Sequence, residues 1–393
     1  MDNGKINYQR ILLIAGALSL FIYYLFQWVQ MISNPVLRTS LDFVAYYSAA
    51  RIMQEQGATQ VYDFESLHMM ENQVVGYELG DEQVLPYLHM PFLLPMLSIF
   101  VDENYTASFL RWVLFLVFIF VLGFYIFSKL FPDDMPPAAR NRFVLGAVTF
   151  FPCFVSLLLG QNTAILFLGV ALLGWGIASE KEWLAGLGLA LVSLRPHILL
   201  LILPPVFILY RRVFWKFFFI GLVLAALSFF LLGIQGMQNF LHIMLLAAGG
   251  QGYGLNIESM MNVQGFLVRN LSFLGRDTIR IVGWVIYLAG IPGLCWLAIR
   301  EKKLDVHVLG KMLLICIVIV PHLHFHDLAL LLFPLLSVYL GNETSAIFNG
   351  LQKLLHPMIL SFLFLFGLFQ ETFFPSLVIL ILFIFLFYKR KIS

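Results

Sequence analysis

Three short polar turns interrupt a chain that is otherwise almost continuously apolar. They are Gly160-Gln161-Asn162, Arg195-Pro196-His197 and His322-Leu323-His324-Phe325-His326-Asp327. A fourth polar point, Asp42, lies about ten residues beyond the first apolar run. These residue types offer acid–base chemistry, anion binding or metal ligation. Asp42 is either a proton acceptor or the N-cap of a helix beginning near Phe43, because aspartate is a favoured cap. Arg195 stands between two short apolar runs, where a charge is costly and a functional candidate by default. It is either the cation for a bound anion or half of a buried pair with Asp327 or Glu258. In extended backbone alternate residues share a face, so His322, His324 and His326 can point together. That suits phosphate and hydroxyl binding, a divalent metal site, or a solvated loop with one satisfied histidine. No Asp-x-Asp pair accompanies them, and no metal cofactor is assigned. Gln161 and Asn162 suit hydrogen bonding to hydroxyls or capping of the helix that follows.

The elements that must position these residues follow from composition. Of 393 residues, 61% are hydrophobic and 12% charged, and mean hydropathy is +0.89. A soluble domain carries about 25% charged residues, so the expectation is a single all-α integral-membrane domain over residues 1–393. Spanning the bilayer core takes about 20 apolar residues in a helix. Runs of that kind are Ile11–Ile32, Leu110–Phe131, Phe217–Ile234, Ile279–Ile299 and Phe373–Tyr388. The first is too long for a signal-peptide core and lacks a small-residue cleavage site. Shorter runs come in pairs around the polar turns: Phe143–Leu159 with Thr163–Ser179, Leu184–Leu194 with Ile198–Tyr210, and Val308–Pro321 with Leu328–Leu340. With Pro357–Phe369 they make a bundle of about 12 spans. The three cysteines, Cys153, Cys295 and Cys316, sit in apolar runs without disulfide or metal spacing, and no basic tract points to nucleic acid.

Lysine and arginine favour cytoplasmic loops. With the N-terminus inside, only Arg38, Arg51, Arg111, Arg195, Arg269, Arg276 and Arg280 fall outside, and no lysine does. The segment Leu85–Val101 carries Pro86, Pro91 and Pro95. Counting it as a span would invert everything downstream, so it is read as a helix in the outer interface. Two outer segments result, residues 33–109 and 235–278, and residues 342–393 hold the C-terminal helices. The second segment is rich in glycine (Gly249, Gly250, Gly252, Gly254), which suits a mobile lid. All three undersized pairs then turn on the outer side. Backbone at membrane depth is tolerated only in protein or along a water-filled cavity, so the turns are expected to floor one cavity.

The stretch Ser40 to Arg51, with Asp42, Tyr46 and Tyr47, continues to Gly57 and Val61-Tyr62-Asp63. It resembles the opening motif of glycosyltransferase family 87, multi-spanning GT-C enzymes that include polyprenyl-phosphate-mannose-dependent mannosyltransferases. Tyr87 to Phe92, Gly160 to Asn162, Arg195 to His197 and His322 to Asp327 follow in the family's order. The resemblance implies a GT-C bundle with a large first extracytoplasmic loop carrying interface helices, and Asp42 as general base. It implies transfer of a hexose, mannose above all, from a polyprenyl-phosphate donor to a lipid or glycan acceptor hydroxyl, outside the plasma membrane. Arg195, His322 and His326 are then the donor-phosphate residues. Tyr46, His89, Gln161, Asn162, His197, His324, Asp327 and Glu258 are the sugar and acceptor residues, with Asn262 and Gln264 beside them. One departure is Arg195-Pro196-His197, where Lys-Pro-Gln is the commoner pattern; arginine keeps the charge, but its fork meets phosphate differently. A secondary transporter would show repeated halves broken at the midplane, and none is visible. A surface-polysaccharide ligase or polymerase is the nearer alternative.

Overall fold

The computed structural model describes residues 8–39, 41–248, 257–340, 350, 352–369 and 374–387. Ser40, the glycine-rich stretch from Gly249 to Gly254 and the basic residues 389–391 lie outside them. Every regular element among the described residues is helical. The long helix α1 (Tyr8–Ser33) leaves much of its apolar surface exposed, as a helix facing lipid does, while Leu20, Tyr24 and Met31 pack on the protein. A run of short helices follows: α2 (Pro35–Thr39), α3 (Phe43–Glu55), α4 (Phe64–Val75) and α5 (Leu94–Ser98). Asp63 starts α4 by accepting from the Ser66 amide at 2.9 Å. Residues 85–101 form neither a span nor the single interface helix expected. The chain is irregular up to Met90, turns once as 3₁₀ helix at Pro91–Leu93 and only then enters α5. Three prolines remove the amides a longer helix would need. Tyr87, Leu93, Leu94 and Leu97 are buried, so this segment is part of the protein core.

The bundle proper begins with α6 (Tyr105–Phe127). The run read from Phe143 starts earlier and divides into α7 (Pro137–Val148) and α8 (Phe151–Leu159). The ring of Pro152 would meet the Val148 carbonyl in a continuous helix. Next come α9 (Thr163–Ala178), α10 (Glu182–Val192), α11 (Pro196–Leu209) and α12 (Arg211–Ala248). Helix α12 departs from expectation. It breaks at Gly233 (φ 61°, ψ −171°) and resumes to Ala248 through residues read as loop. Beyond the break it packs on the first loop, with Gly236 against Thr59 and the Phe240 ring 5.0 Å from Tyr62. The chain continues through α13 (Val263–Asn270), α14 (Arg276–Glu301), α15 (Val306–Ile319) and a 3₁₀ turn at Phe325–Leu331. Helices α16 (Leu332–Tyr339), α17 (Pro357–Phe369) and α18 (Phe374–Phe387) complete it. Among the described residues, five helical stretches are long and apolar enough to cross a membrane: Ile11–Ser33, Tyr105–Leu130, Pro137–Leu159 (α7 and α8 together), Arg211–Ala248 and Arg276–Glu301. Six more apolar helices among the described residues are shorter. They include both members of the pairs around Arg195–His197 and around His322–Asp327, but only Thr163–Ala178 of the first pair, whose partner lies within the longer Pro137–Leu159 stretch.

Glycine sets how closely the bundle packs. Association in lipid relies on small residues that let backbones approach. A Cβ on Gly188 would stand 2.5 Å from both the Gly169 carbonyl oxygen and the Leu173 nitrogen, so α9 and α10 touch backbone to backbone. Gly188→Val is expected to cost about 1–3 kcal/mol through overpacking, read as a lower Tm in detergent; an unchanged Tm would contradict this contact.

The two ends of the bundle differ. One end carries the polar turns. At the other, six cations among the described residues lie over aromatic rings: Lys129 over Tyr125, Arg140 over Phe131, Lys181 over Trp175, Arg211 over Phe207, Lys216 over Trp183 and Arg300 over Trp296, at 4.6–5.8 Å. Such pairs gain from the ring quadrupole and suit a membrane interface.

In the first loop, Glu71 is fully buried. Its Oε2 accepts from the Leu85 amide at 3.0 Å, and burial raises its carboxyl from 4.5 to about 7. The folded protein therefore holds a proton there that the unfolded chain has released. Stability is full below pH 4.5 and falls as pH rises to 7, by on the order of 3 kcal/mol. Glu71→Gln should flatten that decline in thermal melts between pH 4.5 and 8; a decline equal to wild type would remove Glu71 as its source.

Candidate functional site

The site is built outward from the left-handed end of α8. Gly160 (φ +71°) closes that helix, and a Cβ there would lie 3.0 Å from the Phe43 Cβ. Its carbonyl accepts from the Trp112 indole at 2.7 Å, the partner that a buried indole N–H requires. The turn so fixed gives Gln161 and Asn162 different partners. Gln161 Nε2 donates to Asp42 Oδ2 at 2.6 Å, and its Oε1 accepts from the Tyr46 hydroxyl at 3.0 Å. Asp42 precedes α3 yet makes no side-chain cap, so its carboxylate is held by the Gly160 turn and not by the helix it precedes.

Asn162 links three elements. Its Oδ1 accepts from Arg195 Nη1 at 3.0 Å, and its Nδ2 is 3.4 Å from His89 Nδ1. His89 stacks near Tyr46, with centroids 4.5 Å apart, and its carbonyl accepts from the Tyr62 hydroxyl at 2.6 Å. Burial, then the nearby Arg195 charge, holds the His89 imidazole well below its usual range, so it is neutral. Arg195 forks onto Asp327: Nε reaches Oδ2 and Nη2 reaches Oδ1, both at 3.2 Å. Their side chains are 8% and 2% exposed, which makes this a buried ion pair. Thr163 Oγ1 donates to the same Asp327 Oδ1 at 3.0 Å. Of the two partners open to Arg195 from sequence, Asp327 is the one it takes. Glu258 is exposed, and its carboxylate accepts from Arg276 at 2.8 Å.

A row of imidazoles borders the pair. His197 and His322 have centroids 6.3 Å apart, His322 and His324 4.5 Å, and His324 and His326 5.8 Å. His326 Nε2 lies 3.7 Å from Asp327 Oδ1. The buried His197 Nε2 has no partner, while its carbonyl accepts from Tyr287 at 2.9 Å. No group of three His, Cys, Asp or Glu side chains among the described residues is arranged to hold a metal ion.

The structure thus brings Asp42, Tyr46, His89, Gln161, Asn162, Arg195 and Asp327 into one hydrogen-bonded network, with His197, His322, His324 and His326 along its border. Asn262 and Gln264 are buried instead, Asn262 as the cap of α13 and Gln264 against Gly283 of α14. Thr163, Trp112 and Tyr62 were not singled out as site residues from sequence. For Thr163 and Trp112 the signal is a polar atom inside an apolar helix, which must find an acceptor nearby.

Set beside known proteins, residues 87–322 match the model of glycosyltransferase family 87. No curated protein matches the chain. The matched stretch includes Tyr87 to His89, Gly160 to Asn162 and Arg195 to His197 and ends on His322, so the first-loop motif with Asp42 lies well before it and His324, His326 and Asp327 lie just after it. It covers more than half of the sequence and the centre of the polar network, and the chain belongs to glycosyltransferase family 87.

Proposed function

We propose that this membrane glycosyltransferase moves a hexose, assigned as mannose, from a polyprenyl-phosphate carrier to an acceptor hydroxyl with inversion at the anomeric carbon. The observation that supports this most is the single network joining Asp42 to the Arg195–Asp327 pair through Gln161, Tyr46 and Asn162. It joins a carboxylate and a cation through hydrogen bonds, and those are the two charges that transfer from a phosphate needs. The acceptor hydroxyl attacks the anomeric carbon while the bond to phosphate breaks and its electron pair leaves with the polyprenyl phosphate. Asp42 takes the hydroxyl proton. Gln161 holds one carboxylate oxygen, and no other protein hydrogen bond reaches Asp42's side chain among the described residues, so the second oxygen is open to the acceptor.

Arg195 uses three of its five N–H groups on Asp327 and Asn162. The others, with His322 and His326, meet the leaving phosphate. Tyr46, His89, Gln161, Asn162, His197, His324 and Asp327 contact the sugars, and Glu258 lies toward the acceptor. The site is assigned to the extracytoplasmic face of the plasma membrane, with both termini cytoplasmic. The cation-bearing rings at the far end of the bundle support that orientation. Purified enzyme in vesicles, given radiolabelled polyprenyl-phosphate mannose, should label an acceptor from added lipid extract. Absence of labelled product with that donor and extract would refute the donor assignment.

A further inference from the structure

The histidine turn is clamped by a strap that ends on Asn262, one of the residues set beside the acceptor from sequence. Residues 260–262 run antiparallel across it. The Met261 amide donates to the Leu323 carbonyl at 2.9 Å, and Asn262 Nδ2 donates to the Val320 carbonyl at 2.7 Å. These bonds fall on either side of Pro321 and His322, so they fix the backbone that carries the His322 imidazole. The strap is itself held in place. Asn262 Oδ1 accepts from the Gly265 amide at 2.9 Å and caps α13. Arg269 Nη1 reaches back to the Met260 carbonyl at 2.8 Å. A Cβ on Gly265 would collide with that same carbonyl. Asn262 is 3% exposed, with Nδ2 on the Val320 carbonyl and the Met260 sulfur and Oδ1 on the Gly265 amide, so its amide is engaged by protein at both ends.

We propose that Asn262 is a positioning residue for sugar transfer: through Val320 it sets where His322 stands. This rests on the reading of the histidine turn as part of the donor-phosphate site. Misplacing a contacting group by about 1 Å can cost on the order of 10²-fold in rate. The cap and the clamp are separable. Serine is a favoured N-cap but is too short to reach the Val320 carbonyl. Asn262→Ser keeps the cap and loses only the Val320 bond, so Tm should fall less than in Asn262→Ala, which loses both. In Asn262→Ser, kcat/KM for the donor per folded enzyme is expected to fall about tenfold to 10²-fold, with KM for the acceptor unchanged. A donor kcat/KM for Asn262→Ser within twofold of wild type, or a loss that only tracks the folded fraction, would overturn the proposal.

Amide exchange over residues 320–327 gives a readout independent of the donor. Asn262→Ser should speed exchange there, and unchanged exchange would also overturn the proposal. If wild-type enzyme transfers nothing from the polyprenyl-phosphate donor, the functional reading fails, while the exchange result still decides whether Asn262 holds the turn.

Discussion

Asp42→Asn is expected to lower kcat by about 10²-fold or more, the usual worth of a general base, while Tm and substrate KM stay close to wild type. Asparagine has nearly the shape of aspartate. Its side-chain oxygen can still accept from Gln161 Nε2, so the bond from Gln161 to Tyr46 and the packing of α3 are kept. What it cannot do is take a proton. The rival role for Asp42, capping α3, predicts a different outcome. Loss of a working cap costs about 1 kcal/mol of stability, yet Asp42 makes no side-chain cap bond. Asp42→Ala should thus leave α3 folded and transfer abolished. Radiolabel transfer under saturating donor and acceptor, with Tm measured on the same preparations, separates the two. A kcat within threefold of wild type for Asp42→Asn would remove it from the base role, and a large fall in Tm would return it to the helix.

Four long helical stretches, Ile11–Ser33, Tyr105–Leu130, Arg211–Ala248 and Arg276–Glu301, were legible because about 20 apolar residues in a row admit few other structures. The polar turns were legible for the converse reason: an Arg195 or an Asp327 between apolar helices has no cheap solution except a partner. Which partner was not legible. Arg195 and Asp327 are 132 residues apart, and nothing local to Arg195 distinguishes Asp327 from Glu258. Asp42 was ambiguous for a related reason. Its position before Phe43 is that of a cap, and only the arrival of Gln161 from 119 residues away shows where its carboxylate turns. The second half of α12 was hidden by composition. Gln235, Gly236, Gln238 and Asn239 read as loop in isolation. There, packing of Gly236 and Phe240 on the first loop outweighs weak local propensity. Asn262 was misplaced by the same limit: an asparagine near a glycine-rich segment looks solvent-facing until Val320 occupies its amide.

Arg195 has two candidate roles that a single substitution cannot separate. Arg195→Met leaves the Asp327 carboxylate, 2% exposed, with only Thr163 and the distant edge of His326. Breaking a buried pair in this way costs about 3–5 kcal/mol, so a sharp drop in Tm and in folded yield is expected, and activity falls whatever the arginine does. Asp327→Leu should be similarly destabilising, since it strands the guanidinium. The double variant Arg195→Met with Asp327→Leu removes both charges, and replacement of a buried pair by apolar residues of similar volume is often neutral in stability. Most of the lost Tm should return, giving a coupling of up to about 3 kcal/mol across the cycle. The two roles then diverge. If the pair only braces the α9–α11 turns, the refolded double variant regains transfer. If Arg195 also meets the leaving phosphate, the double variant is stable but about 10²–10³-fold slower, the loss seen when one preorganised donor to developing charge is removed. The second result is expected here, because Arg195 has more N–H groups than Asp327 and Asn162 consume. Arg195→Lys sharpens the distinction. Lysine restores the charge but not the planar fork, so it should recover much of the Tm and only part of the rate; a stable double variant with wild-type kcat would show that the arginine is structural.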